Sequence, residues 1–185
     1  MLMLAVIGLA SAAIMRNATS GDQVANNNRL QTQASQYAQL ALRFCESQLV
    51  QPAASRGVAL QPAATPAAWT VQANWTSRDK AVAHTLAAGE IGSALLPRVA
   101  PQCLMEATAV PNVYTVTARG FSADFKADAG TGATRNGSAV WVQATLYAEG
   151  EGASPETGAT PAAAATGGRL SVRQRVWQQL LTPPF

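Results

Sequence analysis

Few side chains in this chain can do chemistry. There are two cysteines, Cys45 and Cys103, one histidine, His84, and an arginine cluster near the end, Arg169, Arg173 and Arg175. A single His excludes a multi-His metal centre or a two-His oxygenase triad within one chain. The cysteines lie too far apart for a CxxC redox or zinc motif. No GxxxxGK[ST] phosphate loop and no GxSxG nucleophile elbow occurs. His84 has no Ser or Cys partner in a supporting motif, so it reads as a surface or satisfied residue. The expectation is therefore a non-enzymatic protein with no catalytic residue, metal or cofactor. What remains is cross-linking and charge. An even pair of cysteines in an exported chain reads as a disulfide, against the alternative of two buried free thiols. Closing a loop of this size stabilises a fold by about 4 kcal/mol in the chain-entropy model, provided the Cα atoms come within about 7 Å. Arg169, Arg173 and Arg175 form a basic end strand, with Arg173 and Arg175 on one face. They fit either an acidic partner subunit or an edge strand protected by charge.

Composition narrows the class. With 185 residues, 48% of them hydrophobic, the chain suits one ordinary domain. Lys and Arg number 13 against 10 Asp and Glu, a formal charge of +3, and there is no dense basic stripe. Nucleic acid is not an expected partner, and neither is a small-molecule substrate. The N-x-[ST] triplets at Asn17, Asn74 and Asn136 carry little weight, because such triplets arise by chance.

The elements that must hold these residues begin with an apolar end. Residues 1–15, MLMLAVIGLASAAIM, contain no charge. As a helix they span about 22 Å, short of the ~30 Å hydrocarbon core of a bilayer. Three readings compete: a buried core helix, the apolar part of a signal peptide with Ala10-Ser11-Ala12 as cleavage site, and the C-terminal half of a membrane helix whose start lies upstream of Met1. The residues that follow favour the third. No Pro precedes Pro52, and Leu30, Ala34, Tyr37, Ala38, Ala41, Cys45 and Leu49 recur at helical spacing. A polar neck rich in Asn, Thr and Ser joins the two parts, and a break near residues 17–28 is in keeping with those weak helix formers. The pattern predicts a rod over residues 1–50 and a globular head over 51–185. Leu4, Val6, Ile7, Gly8, Leu9, Ala12, Ala13 and Ile14 would meet lipid or other helices, with Gly8, Ala12 and Ala13 allowing close approach.

In the head, Pro52, Pro62 and Pro66 break any helix after Gln51. Alternation of Trp69, Val71, Ala73 and Trp75 predicts a short strand with both Trp packed on the long helix. Ser77–Leu96 reads as a helix carrying His84. Asn112–Phe121, extending towards Lys126, and Ala139–Glu149 read as strands, joined by a turn-rich hairpin loop with Asn136-Gly137 as its turn signal. Cys103 falls just before this sheet. Gly150–Gly168 has the composition of a mobile loop, and Arg169–Leu181 alternates as a last strand. The expected class is α+β: a long N-terminal helix packed on a small antiparallel β-sheet of three or four strands, with flexible loops.

One stretch narrows this further. Residues 24–43, VANNNRLQTQASQYAQLALR, resemble the segment M-A-G-N-x-x-D-R-x-x-A-F-Q-A-A-E-A-A-L-R that follows the membrane helix in the PilX-type minor pilins of type IV pili. Ala25, Asn26, Arg29, Gln36, Ala38, Ala41, Leu42 and Arg43 fit, whereas Gln39 stands where a Glu is usual and Tyr37 where a small residue is usual. Val113–Gly120, VYTVTARG, resembles the family's Y-R-I-T-A-R-G strand. The two patches cover under a quarter of the chain. The resemblance implies a pilin-like fold and a subunit held in the inner membrane before assembly, with its head in the periplasm. It also implies packing against other minor pilins and the major pilin through the N-terminal helix, then display on the surface pilus, with a role in pilus assembly or initiation and in adhesion. No Glu precedes Glu46, although many pilins carry one near the start of the mature chain. A minor pseudopilin of a type II secretion system shares the same physics. A secreted periplasmic binding module with a cleaved signal peptide is the alternative from another class.

Overall fold

The computed structural model describes residues 2–76, 81–92, 97–128, 134–150, 169–182 and 184, the side chains from residue 21 onward. The first element is α1, Leu2–Leu49. At about 1.5 Å per residue its 48 residues extend about 72 Å. Residues 21–29 are exposed on every side. From there on the helix is amphipathic. Ala34, Ala38, Ala41, Cys45 and Leu49, three or four apart, are all buried, and so is Leu42 beside Ala41. The helix runs through the Asn-rich neck without a break, contrary to the expectation from propensity. Single weak formers cost only tenths of a kcal/mol each, and no Pro interrupts the stretch. The chain leaves the helix at Gln51, whose N–H bonds Gln48 O at 3.1 Å, and Pro52 ends it.

The sheet that receives α1 has six strands, not three or four. Its body is an antiparallel meander of β3 (Gln102–Ala107), β4 (Val113–Phe121), β7 (Ala139–Gly150) and β8 (Leu170–Leu180). Two short strands share the other edge of β3: β1 (Leu60–Gln61) runs parallel to it, and β2 (His84–Thr85) antiparallel. The strand β3 was not expected. Its sequence QCLMEA is buried on both faces and so lacks alternation, and Cys103 lies within the sheet rather than before it. The strand β4 stops at Phe121. Ser122 turns the chain: its N–H bonds Ser138 O, while its hydroxyl receives the Ser138 N–H. A small hairpin, β5 (Lys126–Ala127) with β6 (Thr134–Asn136), stands off the main sheet there. Gly137 closes this excursion at φ +75°, where a Cβ would lie 2.7 Å from the Phe125 backbone. The residues 151–168, expected to form a loop, lie outside the described residues.

Register divides the sheet's side chains. Cys103, Met105, Val116, Ala118, Val142, Ala144 and Leu146 face α1 and form the main core with its buried stripe. The closest approach is at Gly120. A Cβ built there would sit 2.2 Å from Ala38 N and 2.3 Å from Ala34 O, so the helix backbone rests directly on the strand. The opposite face carries a smaller cluster of Ala68, Trp75, Ala83, Leu104 and Trp141. The stretch expected as a Trp-bearing strand is instead a 3-10 turn, Ala68–Thr70, followed by the one-turn helix α2, Ala73–Thr76. It covers the face of the sheet away from α1. Trp75 meets Trp141 edge-on at 4.8 Å, and its indole N–H donates to Trp69 O at 3.0 Å. Pairing through the sheet's far face and the turn hydrogen bonds overrode the local alternation. The expected helix Ser77–Leu96 is likewise not formed where described. His84 lies in β2, and only Ala88–Ile91, α3, is helical. Residues 77–80 and 93–96 lie outside the described residues.

Candidate partner-binding surfaces

The disulfide is formed. Cys45 in the last turns of α1 and Cys103 in β3 are both fully buried, with Cα atoms 6.2 Å apart. It ties the helix to the central part of the sheet close to where the helix ends. Leu4, Val6, Ile7, Gly8, Leu9, Ala12, Ala13 and Ile14 belong to α1, but their side chains lie outside the described residues. Among the described residues no helix is long and apolar enough to cross a membrane, and no group of His, Cys, Asp and Glu is arranged to hold a metal ion.

His84 is held on two sides. Its Nε2 is 2.9 Å from Glu90 Oε2, and its ring stacks on Phe44 at 5.4 Å. Glu90 also accepts the Ala87 N–H at 2.6 Å. No nucleophile is among these contacts, and the group pins α3 against the helix.

The arginines part company in the structure. A β-bulge between β7 and β8 sets Tyr147 opposite Gln174 but Ala148 opposite Val172, leaving Arg173 as the extra residue. Arg173 reaches Glu149 Oε2 at 3.3 Å on the face away from the helix. Arg175, opposite Leu146, lies on the helix side and donates to Glu46 Oε1 at 2.8 Å. The expectation that both share a face is thus corrected: one inserted residue shifts the alternation between them. Arg169 is exposed just before β8. Beside Arg175, a groove of about 230 Å³ opens between α1 and β8, lined by Gln39, Leu42, Arg43, Arg175 and Trp177. Gln39 continues it into a polar cleft of about 360 Å³ that ends at Asn28 and Gln179.

Two buried charges were missed in the sequence. Arg119 in β4 is 8% exposed and has Trp75, Phe121 and Trp141 within 5.3 Å of its guanidinium carbon. It donates to Gln102 Oε1 at 2.6 Å and to Trp75 O at 2.9 Å. Burial pushes its guanidinium down to about 10, so it stays charged at neutral pH. It fastens the Trp75 turn to the sheet. Glu106 in β3 is 5% exposed and accepts the Trp69 N–H at 3.1 Å; burial raises its carboxyl, and the Trp69 and Ala68 N–H groups partly offset that. The signal available was the sequence order itself. Arg119 and Glu106 sit at the same parity as Thr117 and Leu104 in their strands, and so share the face that the Trp-rich turn covers.

The edge strand was also only partly foreseen. Val172, Val176 and Trp177 of β8, with Tyr147 of β7 and Leu181 just beyond, make up most of the large exposed apolar side chains among the described residues. Comparison with protein-family models, with characterised proteins and with solved structures finds no match for this chain.

Proposed function

We propose that this chain is a non-enzymatic minor pilin, a subunit that takes part in type IV pilus assembly or initiation and supports adhesion through its head. The observation that carries this reading is one uninterrupted helix, Leu2–Leu49, of which only the C-terminal part is seated on the sheet. A helix that leaves its own core with residues 21–29 exposed all round needs a second environment for its apolar end. Lipid before assembly and neighbouring helices in a filament core both supply one. The two segments that carry the family resemblance also pack on each other. Gly120, from the second, rests on Ala34 and Ala38, from the first. That juxtaposition supports a pilin-like reading of the α+β fold.

The disulfide suits such a role. Force that peeled the helix from the sheet, starting at its exposed end, would be stopped at Cys45 by the bond to β3. On this reading the subunit waits in the inner membrane with its head in the periplasm, then joins other minor pilins and the major pilin in the surface pilus. A minor pseudopilin of a type II secretion system would use the same parts.

The test is complementation. Cells lacking the chain should show several-fold fewer surface filaments, and the wild-type gene should restore them. Ile7→Asp, which puts a charge in the apolar segment at a cost of about 2.5–3.5 kcal/mol at a membrane-helix centre, should not restore them although its head still forms the disulfide. Normal filament numbers without the chain, or full rescue by Ile7→Asp, would count against the proposal.

A further inference from the structure

The strand β8 closes one side of the sheet. Among the described residues it pairs with β7 along its length and with no other strand; the Leu170 N–H bonds Val50 O at 3.1 Å, and beyond it one row of backbone N–H and C=O groups faces outward as far as Leu180. Sheets ordinarily protect such an edge with charged side chains, above all lysine, with proline, with a bulge or with shortness, and β8 carries two of these devices, its arginines and the bulge at Arg173. This edge is 11 residues long, contains no Lys or Pro, and exposes Val176 at 57% and Trp177 at 43%. Its charged side chains are all basic. Arg173 and Arg175 lie on it, Arg169 just before it, and Arg43 of α1 lines the groove beside Trp177. Against these four stand Glu149 and Glu46, which engage Arg173 and Arg175 from neighbouring elements, so the edge retains a positive excess.

We propose that β8 is a docking edge for an extended acidic segment of a partner protein, which adds a strand to the sheet. The open ladder selects an extended backbone. Val176, opposite Thr145, and Trp177, opposite Ala144, lie on opposite faces and so select apolar residues at two adjacent positions, while the arginines, present on both faces, select carboxylates on either side of that pair. A second copy of β8 is disfavoured. Antiparallel pairing about the strand's centre sets Arg175 against Arg175, and like charges directly opposite are destabilising. The inference stands on the edge alone and does not rest on the filament reading.

Hydrogen–deuterium exchange and binding on the full chain in mild non-ionic detergent test it. The probes are a capped Val-Glu peptide, two adjacent Val flanked by Glu on both sides, and its Val-Lys counterpart with Lys in place of each Glu. Alone, the outward amides of β8 exchange fast, and light scattering shows a monomeric chain. The Val-Glu peptide slows exchange in β8 and binds about tenfold more tightly than the Val-Lys peptide, as a few exposed ion pairs would give. The double substitution Arg43→Glu and Arg169→Glu, at exposed positions and with an unchanged melting temperature, reverses that preference. Four outcomes overturn the proposal: outward β8 amides beyond Leu170 already protected in the free chain, dimerisation through β8, peptide protection that falls elsewhere, or a preference unchanged by the charge reversal.

Discussion

Replacing Gly120 by Ala tests the helix-on-sheet contact that organises the whole head. The added Cβ would lie 2.2 Å from Ala38 N, 2.3 Å from Ala34 O and 2.8 Å from Tyr37 C. A carbon normally approaches such atoms no closer than about 3.5 Å, so the shortfall exceeds about 1 Å. All three neighbours are helix backbone and cannot swing aside as a side chain would. Relief requires α1 to lift from β4, yet Cys45 holds the helix to β3 two turns beyond Ala38. Lifting would also open space along the buried Ala34, Ala38 and Ala41. Overpacking of a core costs about 1–3 kcal/mol, and the rigid neighbours place this case near about 3 kcal/mol. For a chain of this size that lowers Tm by about 6–12 °C. The assay is thermal unfolding of the disulfide-intact chain followed by circular dichroism. The expected sign is informative, because Gly120 does not have a positive φ and a strand Gly→Ala without the clash would gain about 0.5–1 kcal/mol. Gly89→Ala, in α3 with nothing within 4 Å of the built Cβ, is the control and should be neutral or stabilising. A Gly120→Ala variant that melts at or above the wild-type temperature would refute the packing described here.

Three further outcomes follow. Cys45→Ser with Cys103→Ser should lose about 4 kcal/mol of unfolding free energy, read as a lower denaturant midpoint that matches the reduced wild type; equal midpoints with and without reductant would contradict it. Arg119→Ala should cost about 3–5 kcal/mol, because it empties the space between Trp75, Phe121 and Trp141 and strips Gln102 and Trp75 O of their donor; a loss below about 1 kcal/mol would show that the aromatic cluster holds without it. Glu106 has a folded carboxyl raised by burial, so the folded state holds its proton more tightly than the unfolded one. Its contribution therefore falls as pH rises from the ordinary carboxylate range through the raised value. Glu106→Gln, which keeps an acceptor for the Trp69 N–H, should match or exceed the wild type at pH 7 and remove that fall. A midpoint difference between the two that instead favours the wild type increasingly as pH rises would reverse the sign argued here.

How much of this was legible depends on where periodicity had a single partner. The buried stripe from Ala34 to Leu49 could be read because one helix face meets one sheet. The strands β4, β7 and β8 could be read because at least part of each alternates. The disulfide followed from cysteine count and an exported reading, although only the fold brings Cys45 and Cys103 within bonding distance. The strand β3 was hidden because it is covered on both faces, so hydrophobic residues follow one another without alternation. The Trp69–Trp75 stretch misled because alternation over a few residues also fits two consecutive turns, and the decisive bonds, from Asn74 to Ala68 O and from Trp75 to Trp69 O, are specific to the folded turn. The bulge at Arg173 adds one residue to β8, and no feature of the local sequence marks it. The charge cluster was visible, but the separation of Arg173 from Arg175 was not.

The most direct test of the filament proposal is where the chain resides and with which residues. Peptide mass spectrometry should be run on inner membrane, soluble periplasm and sheared surface filaments from the producing cells. The proposal predicts the chain in membrane and filament fractions, with peptides from residues 1–15 and from the head in equal amount. Recovery in the soluble periplasm alone, with residues 1–15 removed, would contradict it.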